Sequence, residues 1–481
     1  MNFRVVAPFC TTLTHFKPPR HLVGQPFSEK KLKKVPTLGA GQFNILRIIS
    51  LFGAPSPLLP AMGPGFRVLG AGGELLRGRL GPRVYDTLSA RSRVAFRAKP
   101  TVPRFGFACC LSLAAISDTL LPSAQAMEFI ESVFRRLRRH PKRIVFPEGE
   151  NLRAIQAGRR FYELGCGVPI LLGRRAVVEE VARREKVPFD HLGVINPENS
   201  ADLPDFCRFL ETLERYKKLG LSDARELLLN PNYYAAMMVQ YGRADGVVGG
   251  IESPTAALLR PLLRVVKPSD AQHLVSSCLI VDTGRTDLGH HGVVVMADCG
   301  VIPSPDVEQL AAVALQAAHL CRQLTGEIPR VAMLSYSTKG SAVAPGTEKM
   351  AAAAALARQQ AQARHLEMEI DGELQIDAAL LPVAARNKGV TGPVAGRANV
   401  LIFPDLNSGH TAGKLAGLLG SQAYGQILTG LTKPAADVSR SDTVETIAAV
   451  AAIVGLQAIE MRRLQEMAEE EKRNPARAAA R

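Results

Sequence analysis

No stretch of this 481-residue chain reaches the roughly 18–20 uninterrupted apolar residues that span a bilayer. The nearest, Phe105–Leu121, is short and carries Asp118. Membrane-spanning function is therefore not expected. The eight cysteines show neither a C-x-x-C pair nor Cys/His spacing of the kind that holds a metal, and Cys109-Cys110 is an adjacent pair, a poor disulfide. That usage fits free thiols in a reducing cytoplasm. There is no G-x-x-x-x-G-K-[ST] nucleotide loop, and "GAGGEL" (70–75) follows no convincing strand. No His-x-x-x-His is present, so His290, His291 and His410 read as solvent-facing or hydrogen-bonding residues rather than as metal ligands.

Acidic residues are also scarce, but only at one end. Residues 1–126 hold 17 Lys/Arg against four Asp/Glu, whereas the remainder holds 42 against 40. The net charge of +15 thus belongs almost entirely to the leader and carries no nucleic-acid signal for the body. The leader is rich in Pro, Gly and Arg and has no sustained period of 2 or 3.6 residues. Its end, "RFGFACCLSLAAISDTLLPSAQA", imitates a signal peptide but lies a hundred residues too deep for one. Three readings stay open for it: a wrongly joined start ahead of Met127, a disordered targeting or interaction arm, or a small domain.

What is present begins at Met127. Apolar residues make up 47 % of the chain, enough for a buried core and for two or more domains. "MEFIESVFRRLRRHP" puts Phe129, Ile130, Val133, Phe134 and Leu137 on one helical face. Short β-rich runs then alternate with helical patterns: "KRIVFPEGE", "VPILLG", "ADGVVGGIESP", "LIVDTG", "HGVVVMADCGVIP", "RVAMLSYSTKGS", "ANVLIFPDLNSG". This alternation predicts an α/β fold with a largely parallel sheet. Each run opens into Gly, Ser, Asp or Pro, and the loops at strand ends are where open α/β sheets take ligands. The tail "MAEEEKRNPARAAAR" (467–481) is charged and expected to fray.

Two of these loops suit anions. "LSYSTKGSA" sets Ser337, Thr338, Lys339, Gly340 and Ser341 after a buried strand, a run of hydroxyls, backbone N–H groups and one ammonium that can cradle a phosphate or form an ordinary turn. "SPTAALLRP" places Arg260 at helical spacing from Ser253 and Thr255, able to fork onto a phosphate or to make a surface ion pair.

The stretches "RIVFPEGENLRAIQAG", "RADGVVGGIESPTAALLRP", "VAMLSYSTKGSA", "DGELQIDAAL", "PVAGRANVLIFPDLNSG" and "AYGQILTGLTKPAADVSR" stand in one order from about Met127 to about Leu464. Over that span the chain resembles the phosphate acetyltransferase (phosphotransacetylase) and phosphate butyryltransferase family. The resemblance implies two three-layer α/β domains of the isocitrate/isopropylmalate-dehydrogenase-like kind, one discontinuous (127–269 with 423–466), the other 270–422, behind a non-globular leader and usually in a dimer. It implies acetyl exchange between acetyl phosphate and coenzyme A, with coenzyme A as substrate, no permanently bound cofactor, a cytoplasmic location and a functional link to acetate kinase. Carried over by position, Arg260, Arg215 and Arg440 match the family's functional arginines, and Ser439 its oxyanion-stabilising serine. Arg215 is matched through a loose local alignment.

The family's aspartate, seven residues after the serine, is here Thr446, which cannot act as a base. Ser441, Ala436 and Thr429 also stand where glycine, asparagine and glutamine are usual. Asp442 lies four residues before Thr446. If residues from Asp442 onward form one helix, the two share a face. Asp442 then either supplies the missing carboxylate or, with Glu445, caps the helix. The Ser-Arg-x-Asp pattern points towards butyryl transfer, and the interior loops towards acetyl. A catalytically silent, acetyl-CoA-sensing module is the reading from a different class.

Overall fold

The computed structural model describes residues 66–69, 75–78, 126–213, 223–269 and 274–473. The chain divides into two units, Met1–Arg104 and Phe105–Arg481. In the first, β1 (Phe66–Leu69) and β2 (Leu75–Gly78) form an antiparallel ribbon. The remainder of the leader, and the readings made of it, lie outside the described residues.

The second unit opens with α1 (Ala126–Arg138) and β3 (Lys142–Phe146), then α2 (Leu152–Glu163), β4 (Gly167–Leu172), α3 (Arg175–Arg184) and β5 (Gly193–Ile195). α4 (Leu203–Thr212), α5 (Ala224–Leu229), α6 (Pro231–Gln240), β6 (Gly246–Gly249) and α7 (Thr255–Val265) follow. The predicted face of α1 is the buried one: Val133 and Leu137 are fully enclosed. The second half holds β7 (Ser276–Asp282), β8 (Val293–Ala297), α8 (Val307–Thr325), β9 (Arg330–Leu334), α9 (Pro345–Ala363) and β10 (Glu369–Leu374). Two short helices, α10 (Ile376–Leu380) and α11 (Pro382–Asn387), precede β11 (Val400–Ile402) and α12 (Leu406–Leu418). β12 (Gln422–Thr429), β13 (Ala435–Asp437) and the long α13 (Val444–Arg473) complete the unit.

The eleven strands described in this unit share one sheet, ordered β10-β9-β11-β8-β7-β12-β13-β6-β3-β4-β5. Side chains alternate into separate cores: Ile144 and Phe146 face one cluster and Val145 another, while Val293 and Val295 oppose Val294 and Met296. Both faces are therefore covered by helices, which gives the mixed α/β layering expected from the sequence.

The antiparallel joints fall together at β8-β7, β7-β12 and β12-β13; every other neighbouring pair is parallel. The two parallel wings consequently run in opposite directions. The register fixes where they stop. Ala297 of β8 stands opposite Cys278 of β7, and Ala436 of β13 reaches the same level through Ile427 of β12. The carboxyl ends of both wings thus meet at the middle of the sheet, where α/β ligand sites form.

α13 packs on α1, α2, β3 and β6. Every residue from Ile447 to Ala458 is buried, and Ile447–Leu456 is apolar on all sides because no face meets water. Among the described residues it is the one helix (Val444–Met467) long and apolar enough to cross a membrane, yet 61 % of its apolar window is buried inside the protein. α13 starts at Val444, not at Asp442 as the sequence pattern suggested, and continues to Arg473 into the tail expected to fray. Met467, Ala468 and the Glu/Lys run beyond them are good helix formers and sustain the extra turns.

Candidate active site

A cavity of about 900 Å³ opens where the two sets of strand ends meet. Its walls come from the loop after β6 with the first turn of α7, from α12, from β12, and from β13 with the turn after it. Two side chains hold these loops in place. Glu148, just beyond β3, accepts three successive backbone N–H groups, those of Ile251 (2.7 Å), Glu252 (3.0 Å) and Ser253 (2.7 Å), and the Ser253 hydroxyl (2.5 Å). A carboxylate ringed by donors in this way makes strong charge-assisted bonds. Arg153, in the first turn of α2, donates to the carbonyls of Arg440 (2.7 Å) and Asp442 (3.3 Å) and to that of Ile251. One guanidinium therefore ties the loop after β6 to the turn after β13.

That turn carries the residues singled out in the sequence. The Ser439 N–H donates to Asp442 Oδ2 (2.8 Å), and the Asp442 N–H donates back to the Ser439 carbonyl (2.8 Å). Lys414 Nζ, from α12, donates to Ser439 Oγ (2.9 Å), which also lies 2.9 Å from Ser441 Oγ. Arg440 lines the cavity and is exposed; its guanidinium makes no hydrogen bond or ion pair with any described residue. Burial pushes the Asp442 carboxyl upward, opposed by the Ser439 N–H bond and by the charges of Lys414 and Arg153.

At the end of β13 lies a carboxyl that sequence reading missed. Asp437 is 5 % exposed and lines the cavity. Its Oδ2 accepts the Thr255 hydroxyl at 2.5 Å, and its buried Oδ1 has no partner among the described residues. Oδ1 rests against Gly250, whose φ is +86° and where a Cβ would sit 2.3 Å away, so a side chain is excluded by space and by backbone. Burial pushes Asp437 up to about 6; the Thr255 bond works against this and the charge of Glu148 adds to it. Its signal in the sequence was its place as the last residue of a short strand, hidden because "PAAD" is too brief to read as one.

The sheet order explains where the other predicted residues lie. Ser337–Ser341 follow β9, five strand positions from β13, or roughly 24 Å along the sheet. None of them lines this cavity. Their donors are engaged by protein acceptors: Gly340 N–H (2.6 Å) and Ser337 Oγ (3.1 Å) go to Glu373, and Thr338 Oγ1 to Gln375 (3.2 Å). Lys339 pairs with Asp371, and the Ser341 hydroxyl accepts the Thr338 N–H at 3.0 Å. The loop is built around a buried protein carboxylate. Arg260 sits exposed on α7, one turn beyond Ala256, which does line the cavity. Arg215 lies outside the described residues. His410 lines the cavity, with Nδ1 3.1 Å from the Cys299 carbonyl.

Residues 128–455 match the sequence profile of the family described as "Phosphate acetyl/butaryl transferase". The chain belongs to this family. It is 39 % identical to the phosphate acetyltransferase of Acetivibrio thermocellus over 333 residues, 69 % of this chain and 98 % of that one. It is 37 % identical to that of Thermoanaerobacterium thermosaccharolyticum, covering 69 % and 100 %. Among solved structures, the EutD phosphotransacetylase from Staphylococcus aureus superposes with a TM-score of 0.62 at 32 % identity, covering 69 % of this chain and 99 % of that one. A phosphotransacetylase from Streptococcus pyogenes gives 0.61 at 35 %, with the same coverage.

For a phosphate acetyl/butaryl transferase the helix start is the informative departure. Thr443, not Asp442, caps α13: its Oγ1 accepts the Thr446 N–H at 3.2 Å and its carbonyl the Ile447 N–H at 3.0 Å. Glu445 is taken by Arg160 at 2.9 Å. The capping box expected from Asp442 and Glu445 is thus corrected, because Asp442 is committed to the turn before the helix. Thr446, at the position where the family resemblance places an aspartate, lies in the first turn of α13 and does not line the cavity.

Proposed function

We propose that this chain catalyses the reversible transfer of an acetyl group between acetyl phosphate and coenzyme A, as a phosphate acetyltransferase of acetate metabolism. The observation that carries the reading is the Ser439–Arg440 turn at the cavity, in a chain that spans 98 % of a phosphate acetyltransferase at 39 % identity. The thiol sulfur of coenzyme A attacks the acetyl carbon, a C–S bond forms, and the C–O bond to phosphate breaks. Arg440, which lines the cavity, carries the role of gripping the departing phosphate. Ser439, whose oxygen accepts a hydrogen bond from Lys414, keeps its own hydroxyl proton to donate to the oxyanion. Asp442 keeps the turn in shape by holding the Ser439 N–H, and a base role for it is tested below.

Among the described residues, the buried thiols of Cys278 and Cys299 are poor competitors for the attack. Burial raises Cys278 and Cys299 well above the ordinary thiol range. Coenzyme A is a substrate and not a resident cofactor in this reading. A homodimer in the cytoplasm, exchanging acetyl phosphate with an acetate kinase, completes it.

The test is turnover by the purified full chain of acetyl phosphate with coenzyme A, read as thioester formation, beside butyryl phosphate. Acetyl phosphate should be preferred, since each methylene discriminates by about 1–3 kcal/mol. A butyryl preference would move the chain to the other branch of the family. Coenzyme A binding without turnover would make it a sensor.

A further inference from the structure

We propose that Thr255 and Asp437 form a hydroxyl–carboxylate relay that takes the proton from the incoming thiol, an inference that rests on the acetyl-transfer reading and completes its chemistry. A thiol is only a few per cent ionised at neutral pH, so a nearby base helps. The family's usual carboxylate position is Thr446, which lies in the capped first turn of a helix here. Two carboxyls line the cavity instead, and their surroundings differ.

Asp442 is committed to the Ser439 N–H and faces Lys414 and Arg153. Asp437 has no cationic partner in contact among the described residues. The hydrogen bond it accepts is the 2.5 Å one from Thr255, a residue that also borders the cavity, and its second oxygen is buried and unpartnered. A hydroxyl that donates to a carboxylate keeps its own lone pairs free to accept. The charged groups facing Asp437 are Glu148 from the loop after β3, Asp442 and Arg440 from the turn after β13; two of the three are negative. Gly250 packs against Oδ1 and adds no charge.

The step balances without any co-reactant. The thiol proton passes to Thr255 Oγ1 as the Thr255 proton passes to Asp437 Oδ2. The thiolate forms the new C–S bond, the C–O bond breaks, and phosphate leaves with the electron pair. In the reverse direction Asp437 returns the proton through Thr255 to the sulfur.

The experiment uses the full chain and measures kcat/KM for thioester formation between about pH 5 and 9 for wild type, Asp437→Asn, Thr255→Val and Thr255→Ser. The expected wild-type profile has an acid limb at about pH 6, in line with the upward push on Asp437. Asp437→Asn should fall by roughly 10²–10⁴-fold and lose that limb. Thr255→Val should fall comparably, and Thr255→Ser should recover most of the activity, because only the hydroxyl is required. Melting temperatures separate chemistry from unfolding, and Thr255→Val guards against a misfolded Asp437 variant. An Asp437→Asn enzyme within a few-fold of wild type, or one that keeps the acid limb, overturns the relay while wild-type turnover leaves the acetyl-transfer reading standing. Absence of wild-type turnover of acetyl or butyryl phosphate removes the reading and the relay together.

Discussion

Arg153 reaches across 287 residues of chain to donate to the carbonyl of Arg440 at 2.7 Å. Because the same guanidinium also holds the Ile251 and Asp442 carbonyls, it couples the two loops that face each other over the cavity. Each such charged hydrogen bond contributes about 1.5–3 kcal/mol. Arg153→Gln should therefore lower kcat/KM by ten-fold or more and lower the melting temperature. Arg153→Lys should rescue little, since an ammonium cannot fork onto several carbonyls. Kinetics beside a thermal melt check both.

The Arg440 guanidinium is an exposed cation at the cavity with no hydrogen bond or ion pair among the described residues. Its removal should leave the fold intact and weaken the hold on phosphate. Arg440→Gln is expected to raise KM for acetyl phosphate and to lower kcat/KM by roughly 10–100-fold, the equivalent of one charged hydrogen bond or slightly more. Activity unchanged in steady-state kinetics would remove Arg440 from the site.

Asp442→Asn keeps an oxygen to accept the Ser439 N–H, so a holding role predicts a loss under about ten-fold, whereas loss of a general base costs about 10²–10⁴-fold. Asp442→Ala should be worse than Asp442→Asn in both melting temperature and rate, because it orphans a part-buried N–H worth about 1–3 kcal/mol. The comparison of the two variants decides between holding and base.

The alternation of short apolar runs with helical patterns made β3, β4, β6, β7, β8, β9 and β11 legible, because each is long enough or apolar enough to break the helical period. β5, β10, β12 and β13 were not. β12 begins with Gln422 and carries Gly425 and Gln426, and β13 has three residues. These two strands are nonetheless what turns the sheet around and brings the wings together. The consequence for the site follows directly. Ser439, Arg440 and Asp442 could be read because they are contiguous. Glu148, Arg153, Lys414 and Thr255 act across the chain on partners 25 to 289 residues away, and such pairings are set by sheet order, which no local pattern encodes. The loop after β9 shows the same effect. Ser337–Ser341 looked like a free set of donors because the carboxylate that takes them, Glu373, is 36 residues from Ser337.

Gly250 gives a steric test of the Asp437 pocket. A Cβ there would lie 2.3 Å from Oδ1 in a backbone at φ +86°. Gly250→Ala should carry a backbone cost of about 1–2 kcal/mol and force the carboxyl off its Thr255 bond. The expected result is a loss of activity larger than the loss of stability implies. A variant with wild-type kcat and a small drop in melting temperature would show that the cavity tolerates a displaced Asp437.

Asp437 also makes stability depend on pH in a stated direction. Its folded value is pushed from 3.8 up to about 6 by burial, so the folded protein binds its proton more tightly than the unfolded chain. The stability this contributes is fully present below about 3.8 and is lost as pH rises through about 6. Above that the folded state holds a buried carboxylate at a cost of up to about 3 kcal/mol, because each tenfold change in proton affinity is worth about 1.4 kcal/mol. Asn cannot ionise and still accepts from Thr255. Asp437→Asn should then melt with wild type at about pH 4 and above it at about pH 8, gaining stability under the same conditions in which it loses turnover. Parallel melting curves at both pH values would mean that the charge of Asp437 is well solvated, and that the cavity floor is wetter than its burial implies.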